Sequence, residues 1–180
     1  MESSNRTTRP PLEDLSFKGS TAGTIGVEVE LQVLDHQTGD LAPGAQRILD
    51  ACAGEKIEGV SGEFLLSMLE VRTGVCDNVG QVRDTLAPLI QRVRHIARSV
   101  GFDIGFGGTH PFGRPAMSAV SPSERYQRIQ KRQAFMAYQE AVYGLHVHVG
   151  VPSGGTAIGV INLLVPYLPH LLSVSPRRGT

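Results

Sequence analysis

The chain has 180 residues, enough for one domain with a real core or for a piece of a larger one. Its 17 Lys and Arg balance 17 Asp and Glu, so no net field draws it to nucleic acid or to an anionic membrane, and any basic site must be local. Two cysteines, Cys52 and Cys76, lack metal-type spacing, which fits a reduced cytoplasmic protein rather than a disulfide scaffold.

Residues 1–16 are polar, carry Pro10 and Pro11, and lack the apolar run of a signal peptide; they read as a disordered lead-in. The stretch Thr24 to Gln32 alternates strictly. In an extended strand Ile25, Val27, Val29 and Leu31 share one face, and Gly26, Glu28, Glu30 and Gln32 the other. Two carboxylates about 6.5–7 Å apart on a strand repel each other unless a cation lies beside them, and Mg²⁺ is the natural guest. The plain alternative is an edge strand with a solvated acidic face. Asp35 to Asp40 then supplies turn formers, and Pro43 can open a short helix through Ala45, Ile48, Leu49 and Cys52, ended by Gly54.

Glu63 to Gly74 reads as a buried strand, with Glu70 and Arg72 on one face. An acid in so apolar a run needs a partner, either Arg72 in a buried ion pair or a metal and an anion. Glu63 has the wrong parity for that face and can contribute only from the preceding loop or across a bulge. Asp77 and Asn78 can cap a long helix whose apolar stripe runs from Val79 to Val100, with Gly101 as its stop. Pro88 should kink this helix, and Arg83, Arg92, Arg94 and Arg98 form its solvated face.

Phe102, Ile104 and Phe106 predict another strand, leading into the glycine-rich Gly107 to Gly113 with His110. Ser121-Pro122-Ser123-Glu124 has the form of a helix start, with Ser121 as cap, and the helix carries Arg125, Tyr126, Arg128, Lys131 and Arg132. Gly144 to Val151 repeats the alternation of the first strand: Leu145, Val147, Val149 and Val151 are on one side, His146 and His148 on the other. The apolar run Ala157 to Val174 contains Asn162, Pro166 and Pro169, so a buried, interrupted helix is expected rather than a membrane span. If the two alternating strands share a sheet, their acids and imidazoles converge on one metal and phosphate site.

The ordered motifs Thr24-Ile25-Gly26-Val27-Glu28-Val29-Glu30, Glu63 with Glu70-Val71-Arg72-Thr73-Gly74-Val75-Cys76, Gly108-Thr109-His110-Pro111-Phe112, Arg125-Tyr126 and His146-Val147-His148-Val149-Gly150 resemble one family. It is the carboxylate-amine ligases called glutamate-cysteine ligase type 2, related to bacterial glutamate-cysteine ligases and more remotely to glutamine synthetases. The resemblance spans roughly residues 17 to 172. It implies an α+β fold, with a glutamine-synthetase-like curved, largely antiparallel sheet, helices packed outside, and an incomplete C-terminus. Residues 17–175 would be the N-terminal half of such a domain and 176–180 a tail.

The resemblance also implies the reaction. ATP phosphorylates the side-chain carboxylate of glutamate, and the amine of cysteine or another amine attacks the acyl phosphate, giving γ-glutamylcysteine, ADP and phosphate on a path to glutathione. Carried over by position, Glu28, Glu30, Glu63, Glu70 and His148 are the expected metal ligands, with ATP and Mg²⁺ as cofactors. Arg72 and His146 are the expected substrate- or phosphate-facing catalytic partners. Thr109, His110, Arg125 and Tyr126 match motifs without an assigned role. The expected partners are small molecules, not nucleic acid or membrane, with a homo-oligomer left open. Two alternatives stand beside this reading: an inactive truncated remnant of such a ligase, and a metal-dependent hydrolase using the same strands.

Overall fold

The structure is a computed structural model and describes residues 16–113, 119–133 and 142–175; the expected lead-in and tail lie outside them, apart from Ser16. The strand alternation read from the sequence becomes a five-stranded sheet with every pairing antiparallel. Its strands are β1 (Ile25–Asp35), β2 (Val60–Gly62), β3 (Met68–Arg72), β4 (Phe102–Gly105) and β5 (Leu145–Val149). The order is β2-β3-β1-β4, with β5 also on β1. β1 lies between β3 on one edge and, end to end on the other, β4 at Gln32 to Asp35 and β5 at Ile25 to Val29.

Helices α1 (Ala45–Gly54) and α2 (Val79–Ser99) cover the apolar face. Leu31, Val33, Ile48, Leu69, Val71 and Val93 are fully buried there. Each such side chain contributes about 1.5–3 kcal/mol of burial. Asn78 caps α2 as expected, accepting the Gln81 amide at 3.0 Å, and Gly101 follows the helix at φ 91°. Pro88 lies within an α2 that runs unbroken from Val79 to Ser99.

Two arginines assigned to the solvated side of α2 have a definite partner. Arg94 and Arg98 both donate to Asp103 on β4, at 2.9 and 2.8 Å. Burial pushes the Asp103 pKa up, but the hydrogen bonds from Arg94 and Arg98 and the Ile104 amide outweigh it and hold it at about 2. Helix and edge strand are thus pinned by a pairing that no local pattern announces.

Three segments differ from expectation. Glu63 to Gly74 is strand only from Met68 to Arg72. Residues 63–67 turn instead: Leu65 bridges Val120 and is fully buried in a second cluster with Met68 and Tyr143. Burial of Leu65 is gained by leaving the sheet line. The basic helix α3 (Glu124–Gln133) starts at Glu124, later than the Ser121 cap predicts, with the Ser123 carbonyl accepting the Gln127 amide at 3.0 Å.

The third difference is the largest. The apolar run forms α4 (Gly154–Leu164), a 3-10 turn (Val165–Tyr167) and α5 (Leu168–Val174), and not one of their residues is buried. Together they make 21 residues that contain an 18-residue window of mean hydropathy 1.7, long and apolar enough by those measures to cross a membrane. The expected burial is absent because no described element packs over this stretch.

Candidate functional site

Direct cross-strand partners share a sheet face, so the register decides which side chains meet. Glu28 is opposite Arg72 on β3 and His146 on β5, Glu30 is opposite Glu70, and Gly26 is opposite His148. All lie on the face away from α1 and α2. Of the residues singled out from sequence, Glu28, Glu30, Glu70, Arg72, His146 and His148 are therefore brought onto one surface. A cleft of about 440 Å³ opens at its β5 end, lined among others by Gly26, Glu28, Thr73, Gly74, His148 and Gly150.

Glu28 is the hub. Its Oε2 lies 3.1 Å from His148 Nε2 and 3.5 Å from His146 Nδ1. The hydrogen bond from His148 is the main cause of a Glu28 carboxyl held below the usual range; partial burial opposes it, and His146 adds to it. Glu30 Oε2 accepts the Gly144 amide at 2.7 Å. Glu70 Oε1 takes the Ser61 hydroxyl at 3.2 Å and Arg72 Nη1 at 3.4 Å, so the Glu70–Arg72 pair exists, with the arginine half exposed. A backbone amide and a guanidinium thus offset the like charges of Glu30 and Glu70 directly opposite each other.

Glu63 stands apart, in the loop its parity requires. Its Oε2 accepts its neighbour Phe64's amide at 3.0 Å and the Tyr126 hydroxyl at 3.1 Å. Tyr126 also meets the Phe64 ring edge-on, which ties α3 to that loop. His110 is turned to the hairpin after β1, its Nε2 at 2.9 Å from the Gly39 carbonyl. The Arg125 side chain lies outside what the structure describes.

Residues 24–176 match the family model described as "Glutamate-cysteine ligase family 2(GCS2)". The chain belongs to this family. Among curated relatives, one from Gloeobacter violaceus carrying the name "Putative glutamate--cysteine ligase 2" is 37% identical over 89% of this chain and 44% of its own length. A namesake from Rubrobacter xylanophilus is 36% identical over 89% of this chain and 43% of that protein. This GCS2 chain therefore spans less than half the length of these relatives. Its fold is similar to that of the glutamate-cysteine ligase of Francisella tularensis, crystallised in complex with AMP. The TM-score is 0.55 and the identity 12%, over 84% of this chain and 31% of that one.

The donor types on the GCS2 face suit a hard divalent cation, since carboxylate oxygens predominate. They are not a ready-made cage: among the described residues no three His, Cys, Asp or Glu side chains form a group that could hold a metal ion. Each carboxylate is instead held by a protein donor, and metal loading would exchange those donors for the ion.

Gly144 was missed in the sequence as a site residue. A side chain there would meet the His146 ring at 2.6 Å and push the imidazole from its present place, while the Gly144 amide reaches Glu30. Ser61 was missed as well, because its link to Glu70 crosses strands. Gln32 continues the Glu28 and Glu30 parity, and its Nε2 donates to the Gly107 carbonyl at 3.5 Å; that parity was the available signal.

Proposed function

We propose that this chain is part of an ATP- and Mg²⁺-dependent carboxylate-amine ligase of the glutamate-cysteine ligase kind. The reaction joins L-glutamate and L-cysteine into γ-glutamylcysteine and releases ADP and phosphate. The observation that supports it most is the meeting of Glu28 with His146 and His148, beside Glu30, Glu70 and Arg72, on one face of a GCS2-family sheet. The AMP named with the structurally similar ligase favours a nucleotide substrate for the reading. We place the reaction in the cytoplasm, where ATP and free thiols are kept, consistent with the unpaired Cys52 and Cys76.

In this reading Glu28, Glu30, Glu70 and His148 would hold Mg²⁺, with Glu63 joining from its loop. The ion's chemistry there is to neutralise phosphate charge and polarise the transferred group. Arg72 presents a half-exposed guanidinium whose planar fork suits a carboxylate or phosphate oxygen pair. His146, resting on Glu28 with half its surface open, is the imidazole suited to take the proton that an attacking amine gives up.

A coupled assay of ADP release with glutamate, cysteine and Mg²⁺ tests this. Glu28→Gln should lower turnover by about 10²-fold or more, the scale of losing a group that stabilises charge in the transition state. Measurable ADP release that is equal in the two proteins would count against the reading. A second reading, that the chain has no turnover by itself, is favoured by its 44% share of the relative's length and by the uncovered α4 and α5. Turnover that appears only when the remaining length is supplied would select it.

A further inference from the structure

Where β1 approaches Glu28, the chain opposite it carries one residue too many. Val27 pairs with Thr73 and Ile25 with Cys76, so two steps along β1 are matched by three beyond the end of β3. The extra residue makes a β-bulge at Gly74 and Val75, and both line the cleft together with Gly26, Glu28 and His148.

At the start of this bulge a side chain does the work of a backbone group. The Thr73 amide donates to the Val27 carbonyl at 2.9 Å, as in a regular antiparallel pair. The Val27 amide, however, donates at 3.0 Å to the Thr73 hydroxyl, which takes the place a carbonyl holds in a regular ladder. The same hydroxyl donates onward to the Gly74 carbonyl at 2.7 Å. That carbonyl stands 3.8 Å from where a Gly26 side chain would begin, hence on the face that carries Glu28 and the histidines. One hydroxyl thus closes the β1 side of the bulge and fixes its outer peptide.

We propose that Thr73 is a positioning residue for Glu28, its hydroxyl standing in for a strand carbonyl so that β1 stays paired beside the bulge. Removal of the hydroxyl leaves Val27 two outcomes. Its amide loses its acceptor, or the Thr73 carbonyl swings in and draws the extra residue into line, which breaks the Ile25–Cys76 pairing. Either outcome displaces the neighbour of Glu28, whose Oε2 meets His148 at 3.1 Å and His146 at 3.5 Å. The value of Glu28 to a reaction rests on the ligase reading; its placement by Thr73 does not.

The test is amide exchange and nuclear Overhauser contacts in the 180-residue chain, neither of which needs turnover, so a failed ligase assay leaves it standing. Thr73→Val keeps the shape and loses the hydroxyl. It should speed exchange at Val27 about tenfold and weaken the Glu28–His148 contact about twofold, with Leu31 exchange unchanged. Thr73→Ser, which keeps a hydroxyl, should restore both to within about twofold of the unaltered chain. Unchanged Val27 exchange in Thr73→Val overturns the proposal. So does an unchanged Glu28–His148 contact, which would make the hydroxyl a strand end and nothing more. Loss of protection at Leu31 equal to that at Val27 overturns it too, since the hydroxyl would then support the whole sheet.

Removal of Val75, which is 81% exposed, supplies a second check. With two steps against two, the Thr73 carbonyl can take the Val27 amide, so adding Thr73→Val to that deletion should change Val27 exchange by less than about twofold. A change as large as in Thr73→Val alone overturns the proposal.

Discussion

β1 and β5 carry the same alternation, apolar on one side and ionisable on the other, and their apolar sides meet opposite fates. On β1, Leu31 and Val33 are fully buried beneath α1 and α2; on β5, Val147 is 59% exposed. The polar sides behave alike, since Glu28 and both histidines meet across the strand pair. Alternation therefore settles extension and facing, while burial depends on whether a neighbouring layer reaches that far. α2 reaches Val27 through Val82 and Leu86 and covers no part of β5.

That contrast can be broken most forcefully at Leu31. Leu31→Ala should cost roughly 2–5 kcal/mol in chemical denaturation, enough to abolish a cooperative transition in a marginal chain. A loss below about 1 kcal/mol would mean that the covered region is no better packed than β5.

The next test is the clamp between α2 and β4. Asp103→Asn should cost roughly 1–2 kcal/mol near neutral pH, because two half-exposed arginines are partly screened by solvent. The folded-state pKa is depressed from 3.8 to about 2, so the contribution is fully present above about pH 4 and fades as pH falls through 2. The stability gap between Asp103→Asn and the parent should close over that window; a gap independent of pH would sink the clamp. Val147→Thr should have the smallest effect, within about 0.5 kcal/mol for the chain alone, since it replaces one exposed β-branched residue by another. A larger loss would show that the outer side of β5 is covered after all.

Much of this was legible in the chain. That the acids of β1 and the histidines of β5 each share one side of their strand follows from the alternations, and the α2 start from Asn78, whereas the pairing of β1 with β5 and its register came from the structure. The turn at residues 63–67 was not, because the apolar run there fits a strand equally well until Leu65 finds Val120 and Tyr143. Asp103's two arginines and the Gly144 amide on Glu30 were hidden for a similar reason: partners remote in sequence carry no periodic mark. The 157–174 run was read as buried from apolarity alone, and apolarity says what a segment would gain from cover, not whether cover exists. In the site, kinds of residue and their common side were foreseeable, whereas the individual protein donor holding each acid was not.

The closing of β1 onto β5 also spans the longer loop. The β1–β3 side is stitched by contacts such as Val27 to Thr73, 46 positions apart, whereas Gly144 reaches Glu30 across 114. Loop entropy alone makes the longer closure about 0.8 kcal/mol harder, and few interactions beyond the strand pair repay it. Amide exchange on β5 is therefore expected to be faster than on β3, and equal rates would show that the longer closure costs nothing. Whenever β5 opens, Glu28 loses both imidazoles at once while keeping Arg72 as its neighbour on β3.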